Sequence, residues 1–171
     1  MRKHKRKSYN KLTYRNNDGT IEIGQVLTLV IRYDNKGTIA DKKHPYLVVG
    51  KKNNRIEVAQ LDSLKGKEYK SARPDVVTIY AKGESVVDKD SYVNLSTLYY
   101  LEDYNDIVAY RRQKDTLSCG VLYSVLDSYY KYHEENSIVD SRQVYMTKEE
   151  LEYYQISYES EHNVEEEQIE V

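Results

Sequence analysis

Pro45-Tyr46-Leu47-Val48-Val49-Gly50, followed by Lys51-Lys52-Asn53-Asn54 and then Arg55-Ile56-Glu57-Val58-Ala59-Gln60-Leu61, is the stretch on which the fold turns. Tyr46 to Val49 is a continuous apolar run bounded by a proline and a glycine, the mark of a short buried strand. Lys51 to Asn54 is polar and turn-forming, and the next segment brings Ile56, Val58 and Leu61 broadly inward. Upstream, Gln25 to Tyr33 is rich in Val, Leu, Ile and Thr and stops at Asp34, Asn35 and Gly37. Three adjacent antiparallel strands are therefore expected.

Downstream, Lys65 to Asp75 is polar, contains Gly66 and Pro74, and is expected to be a loop. Val76 to Tyr80, Tyr92 to Leu95 and Leu98 to Leu101 are further short strands, and Ile107 to Tyr110 is a candidate for one more. Short strands at close intervals indicate a sandwich or small barrel. The period then changes. After Asp115-Thr116, a candidate N-cap, Leu117, Val121, Leu122, Val125, Leu126 and Tyr129 recur at helical spacing. Thr147-Lys148-Glu149-Glu150 has capping-box spacing and predicts a second, shorter helix through Tyr154. The expected class is mainly β with α. The expected organisation is a basic arm at 1–20, a barrel with a closing helix at 21–136, and a short helix with an acidic tail at 137–171.

With 171 residues, 39% of them hydrophobic, the chain has material for one core. No stretch approaches the roughly 20 apolar residues of a membrane span; Val26 to Ile31 is interrupted by Thr28. Polar Ser8, Asn10 and Lys11 follow the basic residues Met1 to Lys7, so secretion is not expected. Cys119 is the lone cysteine, which excludes an internal disulfide and a cysteine zinc cage, and the cytoplasm is the expected location. The net charge of -2 hides opposite ends. Arg2, Lys3, Lys5, Arg6, Lys7, Lys11 and Arg15 precede any acid, while Glu159, Glu161, Glu165, Glu166, Glu167 and Glu170 close the chain without a Lys or Arg. Both runs are expected to be solvated. The 19 tyrosines, against no Phe and no Trp, suit rings that pack while their hydroxyls stay wet.

The chain has no glycine-rich phosphate loop, no paired-histidine zinc helix and no nucleophile elbow. No cofactor and no metal is expected. Gly37 to Val49 is different: the basic loop Lys42-Lys43-His44 runs straight into the buried strand and presents cations and an imidazole at its rim. Here the sequence resembles the PemK/MazF family of toxins from bacterial toxin–antitoxin systems. The matching pieces are Ile23-Gly24-Gln25-Val26-Leu27, Lys43-His44-Pro45-Tyr46-Leu47-Val48-Val49, Ile56 to Ser63, Ser91 to Leu98 and the amphipathic helix that follows. The resemblance covers roughly residues 21 to 135. It implies an SH3-like barrel that cleaves single-stranded RNA without metal. It also implies a homodimer restrained by a protein antitoxin. In that family a substrate 2′-hydroxyl attacks the adjacent phosphate and leaves a cyclic phosphate and a free 5′-hydroxyl.

That reaction needs a titratable group and a cation within hydrogen-bond reach of one phosphate. His44 with Lys42 or Lys43 can meet both needs. Where the family has an arginine before the strand proline this chain has His44, and where the family has a threonine or serine at the third-strand exit the nearest matches are Asp62 and Ser63. Arginine is a fixed bidentate cation whereas histidine titrates, so an altered pH profile is expected. Lys65, Lys67, Lys70 and Arg73 are further candidates for RNA phosphates, and Arg111-Arg112 either lines the same path or faces the helix. Two other functions fit the sequence. One is a non-catalytic RNA- or protein-binding module on the same barrel; the other is an adaptor or inhibitor using its acidic tail.

Overall fold

Asn53 and Asn54 have φ of 53° and 61°, and Lys52 stands opposite Arg55, so the hairpin closes through a two-residue turn with both central residues left-handed. The computed structural model describes residues 19–136 and 142–169. Its strands are β1 (Val26–Leu29), β2 (His44–Lys52), β3 (Arg55–Ser63), β4 (Val76–Ile79), β5 (Ser91–Asn94), β6 (Leu98–Glu102) and β7 (Gln143–Met146). Its helices are α1 (Cys119–Glu135) and α2 (Lys148–Ile169), with 3-10 turns at Glu68–Ala72 and Asn105–Tyr110. Most of the predicted basic arm, and residues 137–141, lie outside the described residues.

The hairpin β2–β3 is the centre of the sheet. β1 pairs with β2, and β3 then serves two neighbours along one edge, with Arg55 to Val58 on β6 and Leu61 to Ser63 on β5. A bulge at Val49 bends the hairpin. Each face carries its own core. Tyr46, Val48, Ile56 and Val58 look into one, with Leu29, Leu101, Val144, Met146 and Leu151. Leu47, Val49, Ala59 and Leu61 look into the other, with Ile79, Val93, Leu98, Val125 and Tyr129. All-antiparallel pairing ends at β7, which lies parallel to β6.

The expected barrel is not closed: among the described residues β1 and β7 do not pair, and the sheet remains open. Side chains span the seam instead. Arg32 Nη2 donates to the Tyr145 carbonyl (2.6 Å) and Asn35 Nδ2 to the Gln143 carbonyl (2.7 Å). From α2, Gln155 accepts the Val30 N–H (2.9 Å) and donates to the Val30 carbonyl (2.6 Å). The first strand is accordingly shorter than the apolar run that predicted it. After Leu29 the chain leaves the ladder, and Asp34 turns it back by accepting the Lys36 and Thr38 N–H groups.

Three other expectations are corrected. Ile107 to Tyr110 belongs to a 3-10 turn, not a strand. The α1 cap is not Asp115-Thr116 but the position Ser118, whose N–H (2.9 Å) and hydroxyl both bind the Glu84 carboxylate from a distant loop. The second helix starts where the capping box predicted, with Thr147 Oγ1 accepting the Glu150 N–H (3.3 Å) and Glu150 Oε2 accepting the Thr147 N–H (3.2 Å). It does not stop at Tyr154, however, and its 22 residues carry the helix into the predicted acidic tail. Residues 142–155 are integral to the fold, since β7 extends the sheet and Leu151 and Tyr154 fill the first core. No described helix is long and apolar enough to cross a membrane.

α1 sits close because Gly24 lets it. At φ 94°, a Cβ there would lie 2.9 Å from Leu122 Cδ2. Further along α1, both ring nitrogens of His133 are buried without a hydrogen-bond partner, between the rings of Tyr129 (4.5 Å) and Tyr132 (5.3 Å). Burial pushes its pKa below the ordinary value. The unfolded chain therefore takes up the proton first, and the stability that the neutral ring provides is lost as pH falls from about 6.5 through the folded pKa. Urea midpoints at pH 7.5 and pH 5.5 are expected to fall less for His133→Leu than for the native chain; equal falls would reject this.

Candidate functional site

Pleating sends His44, Tyr46 and Val48 to one face of β2, with Gln60 opposite Tyr46 and Val58 opposite Val48. Along β3 the same alternation that turns Val58 to this face turns Asp62 to it as well. Tyr33, in the turn after β1, closes the group: its hydroxyl lies 3.0 Å from His44 Nε2 and its ring is 6.2 Å from the imidazole. Burial, and then the charges of Asp41 and Asp62, push the Tyr33 phenol above its ordinary pKa. It is held protonated at neutral pH, and the two aspartates whose charges act on it are its near neighbours.

Asp62 anchors a second chain of contacts. Its Oδ2 accepts the Tyr92 hydroxyl (3.2 Å), and that hydroxyl oxygen accepts from Lys70 Nζ (3.1 Å), whose ammonium also sits 5.1 Å over the Tyr92 ring. The bond to Tyr92 is the main reason that the Lys70 pKa is raised. Between the two chains, the Tyr46 hydroxyl is buried without a partner. Desolvation first, and then Tyr99, Tyr33 and Asp62, suppress its ionisation. Imidazole, phenol, carboxylate and ammonium thus share one face of the sheet. Such a set can pass a proton between imidazole and phenol while holding a cation at a defined place.

The other candidates divide. Ser63 follows Leu61 onto the opposite face, toward the second core, and its hydroxyl accepts the Lys65 N–H at 3.4 Å. It is a turn residue and does not converge with His44. Lys42 and Lys65 are exposed, and Lys67 is half-buried at the start of the 3-10 turn. Lys43 lies 3.5 Å from Glu159 and 5.6 Å over the Tyr158 ring. Arg73 gives its fork to Asp75, through Nε (3.0 Å) and Nη2 (2.8 Å). Arg111 is only 4% exposed and points a guanidinium nitrogen at the Thr20 carbonyl, so it does not line an RNA path. Among the described residues no cluster of His, Cys, Asp and Glu could hold a metal ion.

Tyr33, Tyr46 and Tyr92 are the site residues that motif reading missed. Tyr46 had a legible signal, since it lies two residues after His44 on the same strand and pleating alone puts both on one face. Tyr33 and Tyr92 had none, because a turn and a strand from elsewhere in the chain deliver them. In comparisons with protein-family models, curated proteins and solved structures, nothing matches this chain.

Proposed function

We propose that this chain is an endoribonuclease toxin of the PemK/MazF kind, cleaving single-stranded RNA in the cytoplasm without metal, on a scaffold related to the SH3-like barrel. The observation that carries the proposal is the 3.0 Å contact of Tyr33 with His44, on the sheet face that also holds Asp62 and the Lys70 chain. Strand order and the basic entry to β2 support it, while the open seam departs from the closed barrel that the resemblance implies. In this reading Asp62, not Ser63, stands at the third-strand exit on the sheet face that His44 shares. A homodimer and a protein antitoxin are the partners that the same reading entails.

The chemistry follows from the groups. His44 takes the proton of the 2′-hydroxyl as its oxygen bonds to phosphorus. The bond from phosphorus to the 5′-oxygen breaks, and Tyr33 gives that oxygen a proton and recovers one from His44 across their contact. Lys70, with Lys42 and Lys43 at the rim, offsets charge on the non-bridging oxygens. Asp62 contributes by holding Tyr92, and through it the Lys70 ammonium. The test is purified chain, free of antitoxin, incubated in chelator with single-stranded RNAs of varied sequence. Fragments bearing 5′-hydroxyl and cyclic phosphate ends are expected, and RNA left intact throughout would reject the proposal.

One observation favours a second reading, a binding module without catalysis. Arg73 and Lys43 are held by carboxylates of the chain itself, which leaves fewer cations for a transition state than for loose contact. Salt-dependent RNA binding without cleavage would be its signature.

A further inference from the structure

The rim of the candidate site already meets an anion, and the chain supplies it. Lys43 Nζ is 3.5 Å from Glu159 Oε1 and 5.6 Å above the ring of Tyr158. Neither contact is accidental to the fold, because Gln155, one turn earlier, is bonded on both sides to the Val30 backbone. Leu151 and Tyr154 are buried in the first core, and Tyr158 packs against it. Tyr158 is further held by stacking on His162, with ring centroids 3.8 Å apart. The charge of Glu159 also acts on Tyr110, at the end of the 3-10 turn Asn105–Tyr110. After Lys148 the sequence contains no Lys or Arg, while Glu159, Glu161, Glu165, Glu166 and Glu167 follow.

We propose that α2, from Tyr158 onward, is a built-in competitor for the RNA phosphates that the Lys42-Lys43-His44 rim would bind. The inference rests on the nucleic-acid reading of that rim and adds its regulation. To reach Lys43, a phosphate must displace the Glu159 carboxylate and approach against the charge of the helix. The competitor is tethered, so its effective concentration does not fall on dilution. A single exposed ion pair is weak, which makes α2 a brake that RNA can release rather than a permanent block.

The test uses the full chain and a fluorescent single-stranded 2′-O-methyl RNA, which lacks the attacking hydroxyl and stays uncut. Glu159 is exposed, and Glu159→Gln is expected to fold normally and to bind the probe about threefold more tightly at low salt. Lys43→Ala is expected to weaken binding, and adding Glu159→Gln to Lys43→Ala is expected to change nothing further. If Lys43→Ala weakens binding but Glu159→Gln matches the native chain, the competitor is refuted and the RNA-binding rim stands. If neither the native chain nor Glu159→Gln holds the probe, the rim reading fails and the competitor with it.

Discussion

Replacing Gln155 with leucine is expected to lower the unfolding free energy by about 3 kcal/mol. The carboxamide is 3% exposed and accepts from the Val30 N–H while donating to the Val30 carbonyl, 125 residues away in sequence. Val30 has just left the β1 ladder, so no strand stands ready to take over those two groups. Leucine nearly conserves volume, which confines the loss to the unsatisfied backbone pair. Each buried orphan costs about 1–3 kcal/mol. Urea unfolding with an unchanged m value would report it, and a loss under about 1 kcal/mol would show that the seam does not depend on this clasp. Gln155→Glu removes the donor and should lie near the leucine variant.

His44→Ala is expected to lower RNA cleavage by about 100-fold or more, the usual contribution of a positioned acid–base group, with probe affinity falling less than about threefold. The imidazole is half-buried at the first position of β2, where its removal opens no core cavity. Tyr33→Phe should reduce the rate with little effect on binding, because the phenyl ring remains and only the hydroxyl facing His44 is lost. Ser63→Ala should cleave like the native chain, since Ser63 faces the other side of β3. Native cleavage by His44→Ala would overturn the assignment of the site. Loss of cleavage in Ser63→Ala would return the hydroxyl to the mechanism.

The outcome of the sequence reading follows the range of the interactions involved. The Asn53-Asn54 turn, the buried run Tyr46 to Val49, and the Thr147–Glu150 capping box were legible because every deciding contact spans four residues or fewer. The strand β7 was missed: Gln143-Val144-Tyr145-Met146 has no local turn signal, and its parallel partner β6 lies across the whole of α1 in sequence. The α1 cap went to the wrong residues for a similar reason, since Glu84 arrives from 34 residues upstream. At the site, His44 and the rim lysines were visible as a basic run before a proline. Their phenolic partners were not.

By itself, then, the sequence determined the hairpin, the helical stripe of α1, the start of α2, and an imidazole poised at the entry to a buried strand. Backbone propensity and side-chain periodicity are properties of neighbours and need no knowledge of the rest of the chain. Only the tertiary structure decided that the sheet stays open, that Gln155 and Arg32 bridge its seam, and that Asp62 rather than Ser63 shares a face with His44. Those outcomes depend on where a bulge bends β2 and where distant segments come to rest, and their energies exist only once the chain has closed on itself.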